Sequence, residues 1–166
     1  MIIDTHCHAG LSWFEPVENL IFQMENNSVN KAVLIQHKGS TNHYLYECLN
    51  RFPDRFSIVP ALNWNKNLEN QLKEFKDNGA SGIRIYLDYP EIFKLKGDDL
   101  FKSCAEKKLV VSLASNLKTF ASVNFSKLIE RNSKTNFIIE HLSGANNFSK
   151  DRNSKDYFNK VLKMSI

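Results

Sequence analysis

Apolar positions along the chain gather into six short runs, at residues 2–6, 31–36, 56–62, 82–87, 109–114 and 136–141. Each is short enough for a strand and rich in β-branched or aromatic residues. The stretches between them, 16–27, 41–51, 68–78, 98–107 and 120–132, carry apolar residues at helical spacing. Leu68, Leu72 and Phe75 fall at i, i+4, i+7, one helical face. Pro16 suits a first helical turn, Gly79 a C-terminal cap, and Asp98 an N-cap. The strand starts recur about every 20 to 30 residues, the period of a β-loop-α unit.

Strict alternation of strand and helix predicts a parallel sheet covered by helices. An open doubly wound sheet and a (β/α)8 barrel both satisfy it. No Gly-rich phosphate loop follows any run. Polar residues instead mark the carboxyl ends of several runs: His6, His8, Gln36, Arg84 and His141. In a barrel those ends meet at one mouth, so the pattern favours a barrel. At a spacing of roughly 27 residues a seventh strand falls near residue 163, where the sequence stops. The expectation is a (β/α)8 TIM-barrel type with six of eight βα units, a single domain over residues 1–166 lacking the last two. A closed barrel takes about 250 residues. The polar stretch 146–155 reads as a surface loop before a last helix.

The most specific chemistry is the run Met1-Ile-Ile-Asp-Thr-His-Cys-His8. Alternate strand residues share a face, so Asp4, His6 and His8 point one way, and Ile3, Thr5 and Cys7 the other. Two imidazoles converging from one strand are half of a metal site. His141, which ends the run Phe137-Ile-Ile-Glu-His141 before the turn signal Leu142-Ser-Gly144, is the candidate third ligand. Equally, the pair could cap a strand, and His141 could be a core histidine bonded to a carbonyl. Asp4 could accept the second N–H of a ligand imidazole, or serve a structural group. Arg84, between Ile83 and Ile85, could grip a substrate carboxylate or form an internal salt bridge. Gln36 could donate to a substrate or simply fill the mouth. Trp13 and Phe14 could wall a small organic substrate or pack on a helix. His37 has the wrong parity for a ligand, His43 lies in a helix, and Cys7 reads as core.

Composition narrows the classes. A hydrophobic fraction of 42% and a charged fraction of 24% are those of a globular protein. No run approaches the roughly 20 residues of a membrane span, and no signal-peptide pattern opens the chain. Three cysteines without CxxC spacing fit reduced thiols in the cytoplasm. A net charge of +4, spread along the chain, leaves no nucleic-acid footprint.

Five phrases in order then resemble one family, the amidohydrolase-related (amidohydrolase family 2) metal-dependent hydrolases with TIM-barrel folds. They are Ile2-Ile-Asp-Thr-His-Cys-His8, Lys31-Ala-Val-Leu-Ile-Gln36, Phe52-Pro-Asp-Arg-Phe56, Gly79-Ala-Ser-Gly-Ile-Arg-Ile85 and Phe137-Ile-Ile-Glu-His-Leu-Ser-Gly144. The resemblance implies one divalent metal, often zinc, at His6, His8 and His141, with water as nucleophile. It implies a lactone, ester or amide substrate, small and carboxylate-bearing, or decarboxylation of a related acid. The fifth run departs from the pattern, since it has no His or Lys where relatives often place a ligand. The aspartate that the family carries on strand eight has no counterpart either. The rival expectation is therefore a catalytically inactive truncated barrel. It would act as a binding module, a homo-oligomer, or one half of a split enzyme completed by a C-terminal polypeptide.

Overall fold

The computed structural model describes residues 1–143 and 153–164. Gly144 and the 146–152 part of the expected surface loop lie outside the described residues. Strands and helices alternate as the apolar pattern requires, and among the described residues β1 pairs with β2, β2 with β3 and β5 with β6, all parallel. The strands lie in two three-stranded sheets, ordered β1-β2-β3 and β4-β5-β6, and do not form a closed barrel among the described residues. The chain groups into two compact units, Met1–Arg84 and Ile85–Ile166. None of the described helices is long and apolar enough to cross a membrane.

The first unit contains β1 (Ile3–Cys7), α1 (Val17–Asn26), β2 (Lys31–Ile35), α2 (His43–Arg51), β3 (Phe56–Val59) and α3 (Leu68–Asp77). β4 (Gly82–Tyr86) begins in it. Ala32, Leu34 and Ile58 are buried, as are Val17 and Met24 of α1, Leu45 and Cys48 of α2, and Leu72 and Phe75 of α3. Removal of that apolar surface from water is the main force holding sheet and helices together. Gly79 adopts φ +78°, and the amides of Gly79 and Ala80 bond the carbonyls of Lys76 and Phe75. That is the paired-bond motif for which a left-handed glycine ends a helix. Beyond β3, Ala61 bridges Arg84, with Arg84 N bonded to Pro60 O and Leu62 N to Arg84 O.

The second unit holds the end of β4, a 3₁₀ turn at Pro90–Phe93, α4 (Leu95–Glu106), β5 (Val110–Ala114), α5 (Leu117–Phe120), α6 (Val123–Arg131), β6 (Phe137–Ile139) and α7 (Ser154–Leu162). Phe101 of α4 packs edge-on against Phe137 of β6, and Phe120 against Phe125. Two expectations fail locally. Asp98 lies inside α4 rather than capping it, and its carboxylate binds Arg131 and Asn132 instead. The helix expected over 120–132 starts three residues late, as α6 (Val123–Arg131), because Phe120 ends the separate short helix α5 and Ser122 caps a new start by accepting from Phe125 N.

β1 and β6 end their sheets and carry exposed apolar side chains, Ile3 at 45% and Ile138 at 54%. Exposed apolar side chains on edge strands favour association. Sedimentation velocity on the chain alone is expected to show species heavier than a monomer. A single monomeric boundary across micromolar concentrations contradicts this.

Candidate metal centre

The His-x-His segment emerges from β1 through an irregularity. Asp4 pairs with Ala32 but Cys7 with Leu34, so three residues of β1 span two of β2. This bulge breaks the strict alternation on which the shared face of Asp4 and His6 was inferred. Asp4 is exposed, and its Oδ1 accepts from the backbone N–H of His6 at 3.0 Å, a local bond that fixes the bulge. Beyond it the two imidazoles remain neighbours, with ring centroids 5.1 Å apart and planes at 88°. His8 Nδ1 lies 2.6 Å from the carbonyl of Ile35. A carbonyl can only accept, so Nδ1 carries the proton and the lone pair sits on Nε2. Ligand histidines are oriented in this way, which makes His8 fit for a metal.

Cys7, expected as core, is only half-buried. Its thiol donates to Val33 O, and burial foremost, then the Asp4 carboxylate, pushes it up to about 12. It stays protonated at neutral pH and offers no thiolate.

The segment after β1 is aromatic. Phe14 stacks on His8 with centroids 4.6 Å apart, and Trp13 lies 4.9 Å from His37. His37 is also 5.7 Å from Phe14 and 6.4 Å from His8. Parity in β2 set His37 aside, yet it follows the strand end, where parity no longer applies. Trp13 itself is 76% exposed.

Gln36 is buried, and its side chain serves its own loop. Nε2 donates to Thr41 O, and Oε1 accepts from His37 N at 2.8 Å. Arg84, 4% exposed, donates from a guanidinium nitrogen to Gln36 O at 2.9 Å. Asn42, which sequence reasoning passed over, bonds both main-chain groups of Ala61 and so fixes the end of β3 beside Arg84. A lone Asn opening a helix carries no signal of such a role.

In the second unit, His141 directly follows a buried carboxylate that was not singled out from the sequence. Glu140 is 4% exposed and its Oε1 accepts from Ser112 Oγ of β5 at 2.8 Å. Its Oε2 lies 3.7 Å from His141 Nε2. His141, Leu142 and Ser143 all have left-handed φ, +53°, +49° and +63°. Such residues cost roughly 1–2 kcal/mol each without glycine, and sites of function concentrate them. The available signal was a single carboxylate within an otherwise apolar run.

No family model matches the sequence, and no curated protein matches it. Solved structures do. A probable 2-pyrone-4,6-dicarboxylic acid hydrolase from Acinetobacter baumannii, with citric acid bound, superimposes with a TM-score of 0.82 at 18% identity, over 98% of this chain and 66% of that one. The chain shares its fold with this hydrolase. A ligand-free Agrobacterium tumefaciens protein gives 0.72 at 13% identity, over 99% and 64%. Amidohydrolase 2 from Bifidobacterium longum subsp. infantis gives 0.70 at 16%, over 98% and 69%. The chain thus spans about two thirds of the length of these structures. At such identities the likeness concerns the fold, which is of TIM-barrel type.

Proposed function

We propose that the chain belongs to the amidohydrolase-related hydrolases and acts on a small carboxylate-bearing lactone, ester or amide, or decarboxylates a related acid. The observation that carries this reading is the His6/His8 pair leaving β1, with the His8 tautomer set by Ile35 O so that Nε2 bears the lone pair. His6, His8 and His141 are the proposed ligands of a divalent ion, zinc by its preference for imidazole. When bound, such an ion supplies Lewis acidity that lowers the pKa of water. The chain's own groups do the rest. Arg84 holds a substrate carboxylate, and Trp13 with Phe14 and His37 walls a flat ring. Citric acid in the Acinetobacter hydrolase supports a substrate with several carboxylates. Free cysteines suit a cytoplasmic location.

A second reading, a metal-free binding module, has one observation in its favour. β5 presents Ser112, a poor metal ligand, and its hydroxyl is already engaged by Glu140. Turnover separates the two. The chain is expected to open a pyrone or sugar-acid lactone, to lose that activity to a chelator, and to regain it with Zn²⁺. Absence of turnover across a lactone, ester and amide panel, with no metal retained, supports the binding module instead.

A further inference from the structure

We propose that Glu140 is a carboxylate ligand of the divalent-cation site, held in position by Ser112. The inference rests on the metal-site reading above and adds a ligand to it. It begins with the pairing of β5 and β6. Ser112 is in register with Ile138, so both point to one face of the sheet, and Glu140, two residues further on, continues that face. The bond from Ser112 Oγ to Glu140 Oε1 at 2.8 Å bears this out.

In a regular strand the next residue, His141, would point to the opposite face. It does not, because its φ is +53° and the two residues after it stay left-handed. That turn brings His141 Nε2 to 3.7 Å from Glu140 Oε2. Three successive left-handed residues without a glycine are an unfavourable way merely to end a strand. Here they set an imidazole beside a carboxylate, two donor types that zinc accepts together. Ser112 orients the carboxylate, its hydroxyl bonding Oε1 while Oε2 is the oxygen on the histidine side. Ligating carboxylates are themselves commonly oriented by such a hydrogen bond.

The test is Zn²⁺ affinity of the full chain, measured by competition with a chromophoric chelator, with the visible spectrum of the Co²⁺ form as a second readout. Circular dichroism of the metal-free proteins checks the fold. Glu140→Gln keeps shape and removes charge, and is expected to weaken Zn²⁺ binding by about 100-fold and to shift the Co²⁺ bands. Ser112→Ala leaves the carboxylate in place and should weaken binding by about 10-fold, the range seen for outer partners of ligands. If Zn²⁺ binds the original chain, fails on His6→Ala/His8→Ala, yet binds Glu140→Gln unchanged, the Glu140 assignment is overturned and the metal site stands. If the original chain binds no Zn²⁺, both fall. Should Glu140→Gln not fold, Ser112→Ala and Glu140→Asp decide. Affinity within twofold of the original in both overturns the proposal.

Discussion

The double substitution His6→Ala/His8→Ala is expected to abolish stoichiometric metal binding and, with it, the hydrolysis proposed above. The pair supplies two of the three imidazoles proposed, from one short segment, and nothing else in that segment replaces them. Cys7 lies between them, but its thiol is engaged elsewhere, donating to Val33 O. The loss should far exceed any cost to folding. Both rings are only half-buried. His8 gives up one bond to Ile35 O and its stack on Phe14, which together amount to roughly 1–2 kcal/mol. Zinc held by a full ligand set contributes about 10 kcal/mol or more. Inductively coupled plasma analysis of dialysed protein, beside a denaturant titration of the metal-free form, separates the two effects. One equivalent of metal surviving both substitutions removes the site from β1.

The strands were legible because burial on a covered face writes continuous apolar runs. Residues 31–36 and 82–87 anticipate β2 (Lys31–Ile35) and β4 (Gly82–Tyr86) to within a residue. What stayed hidden was decided by contacts between residues distant in sequence. Asp98 looks like a cap, yet Arg131 and Asn132, more than thirty positions on, hold it inside α4. The bulge between Asp4 and Cys7 depends on the register against β2, which a period-two pattern does not encode. Glu140 was concealed by the same kind of reasoning. Its place at the end of an apolar run drew attention to His141, and only the left-handed turn after β6 reveals that carboxylate and imidazole lie together. The His-x-His pair, by contrast, was readable as two neighbouring imidazoles, whose ring centroids lie 5.1 Å apart.

Arg84→Met should raise KM for a dicarboxylate lactone by about 10- to 100-fold, the equivalent of losing one charge-assisted hydrogen-bonded pair. KM for the corresponding neutral diester should move by less than about threefold on the same argument. The side chain is almost wholly buried between Ile83 and Ile85, so its charge was removed from water at considerable cost. One guanidinium nitrogen is bonded to Gln36 O, which orients a planar fork of the kind that recognises carboxylates. Gln36 does not compete for that role, because its amide is engaged by Thr41 O and His37 N. Methionine matches the length of the stem but leaves Gln36 O without its donor, a loss of about 1–3 kcal/mol in stability. Stability therefore has to be measured alongside kinetics. A selective rise in KM for the acid, with kcat retained and the unfolding midpoint only modestly lower, assigns Arg84 to the substrate. Equal losses on acid and diester, with a large fall in the unfolding midpoint, assign it to the end of β2 instead. Arg84→Lys discriminates further: it restores charge without the fork, so a carboxylate clamp is rescued only in part, whereas a site that needs charge alone is rescued fully.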